Sequence, residues 1–358
     1  MATLDVQPQT ERTPAKVGVL KKFLNSPETL LAESLAGLAG AHADILKLGP
    51  DGRYVCRRQP VAGKVALISG GGAGHEPLHA GFVGLGMLDA ACPGEVFTSP
   101  TPDQMLAALA AVDGGAGVLF IVKNYAGDVM NFEMAAEMAG EMAGADTGPK
   151  ILTVLTNDDV AVEESTWSSG RRGVAGTLIV EKLLGAAAEQ GMGLADLKAL
   201  GDRTNRRTRS MGVALSSCTV PAAGTATFSL GEAEIEMGVG IHGEPGRRRQ
   251  AFTSANAITE ELLRAICDDL AAAGLEPGAI LLFINGFGGT PLMELHLLYN
   301  AARQRLEQRG FRVQRSLVGS YVTSLEMAGA SITISLLDDQ ALGLWDAPVH
   351  TAALRWGI

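Results

Sequence analysis

The first half of the chain alternates short apolar runs with helical stretches, and each run stops at a small-residue or polar loop. Lys64 to Ser69 is such a run. It ends in Gly70-Gly71-Gly72-Ala73-Gly74, after which Pro77 opens a helical stretch. Gly117 to Val122 repeats the design, ending in Lys123-Asn124-Tyr125-Ala126-Gly127-Asp128 before a Met/Ala/Glu helix from Val129, and Lys150 to Leu155 does so a third time. Upstream, Ser26-Pro27-Glu28 predicts a helix start, with Ser26 as N-cap and the helix running to about His42. Apolar runs alternating with helices predict a mostly parallel sheet covered on both faces. Ligands in such sheets collect beyond the carboxyl ends of the strands, so those three loops are the first places to look.

A helix over Leu194 to Arg209 becomes strongly basic and marks a change of pattern. Beyond it Met211 to Cys218, Thr225 to Leu230 and Glu234 to His242 read as extended pieces. Helix Ile258 to Ala273, strand Ala279 to Ile284 and helix Leu292 to Arg309 then restore the earlier rhythm. The expected fold class is α/β, with two α/β domains, each a largely parallel or mixed sheet covered by helices. The expected boundaries are a flexible N-terminal extension over 1–18, a first domain over 19–205 and a second over 206–358.

Charge and composition narrow the partners. The 29 Lys+Arg against 39 Asp+Glu leave a formal net charge of −10, which argues against nucleic acid or an anionic membrane. The four cysteines form no CxxC pair and fit a reduced, cytoplasmic compartment. The first eighteen residues lack the apolar core of a secretory signal. The nearest thing to a membrane span, Leu106 to Val122, is interrupted by Asp113, Gly114, Gly115 and Gly117 and reads better as a strand followed by a helix.

Candidate chemistry gathers in the loops. His75-Glu76-Pro77-Leu78-His79 matches the letters of a zinc-protease helix, but Pro77 belongs in a first turn, so His75 precedes the helix and no metal set is expected. The glycine run fits neither nucleotide-binding template; it offers backbone N–H groups at a helix N-terminus, suited to an anion or small polar ligand. Asp128 reads both as an N-cap and as a carboxylate presented near His75. His242, flanked by Gly240 and Gly243, closes an extended segment with its imidazole accessible, whereas Arg247-Arg248-Arg249 reads as a solvated loop or an anion contact. Two glycine-flanked histidines and a carboxylate around a cleft suit a hydrolase, a transferase or a binding protein.

Five segments together resemble one family: Ser69-Gly-Gly-Gly-Ala-Gly-His-Glu-Pro77, Ala91-Cys-Pro-Gly-Glu-Val-Phe-Thr-Ser-Pro-Thr-Pro102, Lys123-Asn-Tyr-Ala-Gly-Asp128, Gly238-Val-Gly-Ile-His-Gly-Glu-Pro-Gly246 and Leu344-Trp-Asp-Ala-Pro-Val-His350. They resemble, in order from about residue 19, the dihydroxyacetone kinase family. The specific likeness is to the dihydroxyacetone-binding K subunits of the phosphoenolpyruvate-dependent, phosphotransferase-system type. The resemblance implies that His242 binds the ketone carbon covalently as a hemiaminal, that His75 assists, and that Asp128 is the general base for the attacking hydroxyl. Gly72, Ala73, Gly74, Ser99 and Lys123 correspond to substrate-binding positions, with Ala73 standing where serine is frequent. It further implies that this chain binds no cofactor, that ADP or ATP with magnesium sits on a separate L subunit recharged through a phosphotransferase-system M protein, and that the chain forms a homodimer. The alternatives are a kinase subunit for another short ketose such as erythrulose, and a ketose-binding regulator without transfer. Retention of His75, Asp128 and His242 together disfavours the regulator.

Overall fold

The computed structural model describes residues 21–143, 149–162 and 170–358. The extension expected over 1–18 lies outside them. In chain order the elements of the first half are α1 (Leu30–Ala41), β1 (Leu46–Leu48), β2 (Val55–Arg57), β3 (Ala66–Ala73), β4 (Gly84–Leu85), β5 (Ala90–Val96), α2 (Pro102–Val112), β6 (Val118–Lys123), α3 (Ala126–Ala143), β7 (Ile151–Thr156), α4 (Gly176–Glu189) and α5 (Leu194–Arg206). The second half holds β8 (Thr208–Ala214), β9 (Glu234–Met237), β10 (Arg248–Ala251), α6 (Ala255–Ala272), β11 (Ala279–Gly286), α7 (Leu292–Gln308), β12 (Arg312–Gly319), β13 (Gly329–Leu336), α8 (Asp339–Asp346), β14 (Val349–Thr351) and β15 (Arg355–Trp356).

The first sheet has the order β1-β2-β5-β3-β6-β7, with β5, β3, β6 and β7 mutually parallel and β1 and β2 antiparallel at one edge. The apolar runs that predicted its inner strands have no polar face because both faces are covered. Phe120 and Val122 of β6 pack with Met105 and Phe132 of α2 and α3, while Leu119 and Ile121 face Leu178, Ile179 and Leu183 of α4. The second sheet, β10-β9-β8-β13-β11-β12, is antiparallel except for β11 with β12, and α6 and α7 cover one face. A small third sheet, β15-β14-β4, returns the C-terminal segment to the first half.

Helix α4 is the element both halves share. Every residue from Gly176 to Ala188 is buried, as expected of a helix whose whole circumference faces protein. Its two buried charges turn apart: Lys182 donates to the Leu344 carbonyl at 2.8 Å, and Glu181 accepts from His79.

Several local expectations shift. Ser26 accepts the Thr29 N–H in a turn, and α1 starts only at Leu30. Pro77 opens no long helix: a turn and a 3-10 segment, Ala80–Phe82, follow, with the backbone bound to the second half through Thr323 Oγ1 to Glu76 O (2.9 Å) and Ala353 N to Gly81 O (3.0 Å). Tertiary partners outweigh the weak helical preference of a stretch that contains Gly81 and Gly84. α3 starts at Ala126, so Asp128 is its third residue and not its cap. Thr225 to Leu230 forms no strand beyond an isolated bridge, Thr219 to Ala226, and the strand expected to reach His242 stops at Met237. The three arginines are exposed, as expected, but engaged, and two lie in β10 and not in a loop: Arg247 donates to the carbonyls of Val160 and Ala161, while Arg248 and Arg249 pair with Glu261 and Glu236. All four thiols are free. The order expected over Leu106 to Val122 is reversed: α2 comes first, burying Met105, Ala108, Leu109 and Val112 on one face, and β6 follows. Among the described residues no helix is long and apolar enough to cross a membrane.

Two glycines separate propensity from packing. A Cβ on Gly185 of α4 would lie 2.3 Å from both the Gly86 carbonyl oxygen and the Met87 Cα, whereas one on exposed Gly37 of α1 meets nothing within 4 Å. Alanine in a helix gains about 1 kcal/mol over glycine, but overpacking against backbone costs about 1–3 kcal/mol. Gly37→Ala is therefore expected to raise the denaturant midpoint, and Gly185→Ala to lower it despite the same change in propensity; equal shifts would refute the close-packing account of α4.

Candidate active site

The carboxyl ends of β3 and β6 open side by side into a cleft of about 340 Å³, within the usual range for small ligands of roughly 300–1,000 Å³. Gly72, Ser99, Asp128 and His242 line it, together with Phe97, Tyr125 and Glu244, and His75 packs behind. Glycine is required along the rim. A Cβ at Gly72 would lie 2.6 Å from the Thr98 nitrogen, and Gly74 has φ +100°, a backbone conformation side chains rarely adopt. Phe97 (φ 57°) and Leu325 (φ 53°) hold left-handed backbone without being glycine, a strain that clusters at functional sites.

The glycine turn is not the helix-borne anion cradle that its spacing suggested. No long helix follows it, and the Gly74 N–H donates to both oxygens of Glu76, at 3.1 and 3.0 Å. Ala73 instead accepts from the Phe97 N–H at 2.9 Å. The Tyr321–Leu325 loop binds the turn to the second half: Thr323 N donates to His75 O (3.2 Å) and Leu325 N to Gly74 O (2.8 Å).

That loop also fixes His75. Nδ1 lies 2.7 Å from the Thr323 carbonyl oxygen, and a carbonyl only accepts, so Nδ1 carries the proton and Nε2 a lone pair. Burial first, then the charges of His242 and Lys123, hold this imidazole well below its usual range, so it stays neutral. Nε2 is buried and has no partner. His75 stacks on Phe97 with ring centroids 5.1 Å apart and meets the His242 ring edge-on at 4.7 Å.

His242 is the more accessible ring. Its Nδ1 lies 2.7 Å from Glu244 Oε1, and its backbone N–H donates to Glu244 Oε2 at 2.9 Å. Burial opposes the charge of Glu244, but the attraction and hydrogen bond of His242, with Arg172 behind, bring its carboxyl well below the usual range. In the neutral ring a carboxylate there selects the Nδ1–H tautomer and puts the lone pair on Nε2. Tyr125 and Phe97 enclose the ring at 4.6 and 5.2 Å. Tyr125 Oη is buried without a partner.

Asp128, in the first turn of α3, lies where the helix end favours a negative charge, and its Oδ2 is 3.5 Å from Lys123 Nζ. Lys123 is buried behind the cleft and reaches the Gly70 carbonyl and His79. His79 therefore faces Lys123, while His75 faces Thr323; the two histidines of the zinc-like letters do not converge. Among the described residues no three His, Cys, Asp or Glu side chains gather as a metal site.

The cleft thus brings Gly72, Ser99, Asp128 and His242 to one wall-and-floor arrangement, with His75 and Lys123 buried against it. Spacing gave no role to Glu244, although it stands two residues from His242; that offset of a carboxylate from a histidine in a glycine turn is the signal that could have found it. Thr323, Tyr125 and Phe97 had no such signal, since their roles arise from tertiary contact.

Residues 36–353 match the Dak1 domain family. The chain is 47% identical over 361 residues to the dihydroxyacetone-binding subunit of the phosphoenolpyruvate-dependent dihydroxyacetone kinase of Escherichia coli, spanning 94% of this chain and 100% of that one. It is likewise 47% identical to the corresponding subunit of a phosphotransferase-system-dependent kinase of Listeria innocua, across 93% of this chain and 100% of the other. Among solved structures it resembles a dihydroxyacetone kinase operon co-activator (TM-score 0.84, 32% identity, 90% of this chain and 97% of that one) and the dihydroxyacetone kinase of C. freundii (TM-score 0.80, 34% identity, 93% and 60%). With the family match spanning most of its length, and near-half identity to whole subunits, the chain belongs to the Dak1 domain family of dihydroxyacetone kinases.

Proposed function

We propose that the chain is the ketose-binding subunit of a dihydroxyacetone kinase and that it holds its substrate covalently on His242. The observation that carries this reading is the Glu244 carboxylate 2.7 Å from His242 Nδ1, which leaves Nε2 as a nucleophile beside a small polar cleft. The lone pair of Nε2 attacks the carbonyl carbon, a C–N bond forms, and the carbonyl π electrons move to oxygen, which takes a proton from solvent. The ring becomes an imidazolium paired with Glu244. His75 Nε2, neutral and unpartnered, accepts a hydrogen bond from a substrate hydroxyl. Glycerol has the size and hydroxyls of the ketone but no carbonyl, so it cannot form the bond.

Asp128 then takes the proton of the terminal hydroxyl as that oxygen bonds to the terminal phosphorus of the partner's ATP and the bond from that phosphorus to the ADP oxygen breaks, leaving ADP on the partner; the general-base role is worth about 10²–10⁴-fold. The phosphoryl donor is assigned to a second, nucleotide-carrying subunit that brings ADP or ATP with magnesium and is recharged through the phosphotransferase system. The names of the E. coli and L. innocua relatives, each a subunit of a kinase dependent on phosphoenolpyruvate or that system, support this division. The likeness to an operon co-activator favours a second reading, a ketose-binding regulator without transfer. The Lys123–Asp128 pair at the cleft supports transfer instead, because a sensor has no use for a base.

Carbon-13 NMR with dihydroxyacetone labelled at the carbonyl tests capture: the bound signal is expected among saturated carbons for the wild type and to be missing for His242→Ala. A saturated complex that keeps its ketone signal refutes the covalent reading. Glu244→Gln retains an acceptor but loses the charge opposite the imidazolium; with charge-assisted bonds worth about 1.5–3 kcal/mol, the adduct equilibrium constant should fall by about 10- to 150-fold. Asp128→Asn should still capture the ketone and lose transfer by at least about 100-fold in an assay with the nucleotide-loaded partner; unchanged turnover would leave the regulator reading standing.

A further inference from the structure

Behind the cleft runs a line of buried polar side chains, most of which the proposed reaction does not use. From Asp128 Oδ2 it passes 3.5 Å to Lys123 Nζ, 2.9 Å from there to His79 Nε2, and 2.5 Å from His79 Nδ1 to Glu181 Oε1. The four residues are between 0% and 5% exposed, so water does not screen them from one another. Glu181 Oε2 is buried with no partner, an unusual cost unless the carboxyl has a task.

The hydrogen positions along the line are tightly constrained. Lys123 has three N–H donors and three acceptors in reach, namely Asp128, His79 Nε2 and the Gly70 carbonyl at 3.3 Å. Donation to Nε2 leaves the proton of His79 on Nδ1, facing Glu181. A second arrangement has the same number of protons. One N–H bond of the Lys123 ammonium breaks as Nε2–H forms on His79, while Nδ1–H breaks as O–H forms on Glu181 Oε1. The ammonium becomes an amine, the carboxylate becomes an acid, and the imidazole remains neutral throughout.

Burial opposes the charge on Glu181 and so works toward this second arrangement, while the Asp128 carboxylate, 3.5 Å from Lys123 Nζ, works against it. The same burial raises the Glu181 carboxyl to about 8, against the opposing pull of Ser69 and Lys123. Burial, then the charge of Lys123, keeps His79 well below its usual range, so it conducts a proton without storing one.

The groups that face this line from the surrounding elements are few. Ser69 of β3 lies 3.0 Å from His79 Nδ1 and itself donates to the Ile121 carbonyl. His75 lies beyond His79, Lys123 comes from β6, and Asp128 from α3. Lys182, the next residue of α4, turns away to Leu344 and toward Asp346 of α8. Glu189, at the far end of α4, belongs to a separate cluster with Arg57, Lys64 and Asp89.

The geometry points to one role: Glu181, acting through His79, governs how much positive charge Lys123 holds beside Asp128, and so how strongly Asp128 accepts a proton from a hydroxyl in the cleft. Glu181 and His79 are positioning residues, since neither touches the cleft. The role presupposes Asp128 as the base of the reaction proposed above.

The test is a pH titration of the full chain by carbon-13 NMR, following the Asp128 carboxyl carbon, assigned by its loss in Asp128→Asn. In the wild type this signal is expected to show an inflection near pH 8, where the line gives up to solvent the extra proton that burial keeps on Glu181 below that pH, and the two arrangements then share the remaining protons. Glu181→Gln should abolish it. His79→Gln, which leaves Glu181 in place and cuts the line, should abolish it as well. An inflection that survives in His79→Gln, or a wild-type curve that is flat from about pH 7 to about pH 9, overturns the proposal. The ring-nitrogen signals of His79 in the wild type give a reading free of substitutions: both should move through the same midpoint, and a single fixed tautomer across that range also overturns it. Ketone capture by His242, measured on the same samples, reports an intact site. Lost capture with a preserved inflection counts against the proposed function and leaves the relay standing.

Discussion

A helix with no face toward water has to settle every polar group it carries inside the protein, and α4 is such a helix. Its apolar residues cover the first sheet on one side and reach toward β8, β13 and α8 on the other, so the two sheets are held at a fixed separation by one element. Glu181 and Lys182 are adjacent on it and must point apart. One fixes the helix to the α8 carbonyl of Leu344, with Trp356 close by; the other fixes it to the turn that carries His75 and His79. The position of the cleft follows from where that helix is anchored.

Around the cleft the same scarcity of water sets the charges. His75 is neutral because it is buried and because its Nδ1 proton is committed to a carbonyl. Glu244 is charged, although buried, because His242 and Arg172 compensate it. A neutral acceptor and an oriented imidazole thus lie side by side. The aromatic rings of Phe97 and Tyr125 limit the volume to a small ligand and keep the imidazole of His242 from rotating freely.

Much of this was readable in the residue pattern. The runs at β3 and β6 were legible because strands buried on both faces are uniformly apolar, and glycine-containing loops marked their carboxyl ends; β7, at the sheet edge, was legible from its apolar run and the polar Asn157-Asp158-Asp159 that follows. The second sheet was harder, because antiparallel pairing joins distant strands; β8 lies between β9 and β13, a partner more than a hundred residues away. The Pro77 turn misled because proline in a first turn and proline in a tight turn look alike until Thr323 and Ala353 are seen to bind the backbone. Glu181 was hidden for another reason: in an Ala/Leu-rich helix an adjacent Glu-Lys pair reads as solvent-facing, and only the packing on every side shows otherwise.

His75 is held by a carbonyl 248 residues further along, and β4 pairs with β14, close to the C-terminus. During synthesis on the ribosome, the first α/β sheet can form long before those partners emerge. The nascent chain therefore carries its glycine turn and its first histidine without the loop that orients them. The orientation of the first histidine arrives late and all at once, only after most of the last third of the polypeptide has emerged.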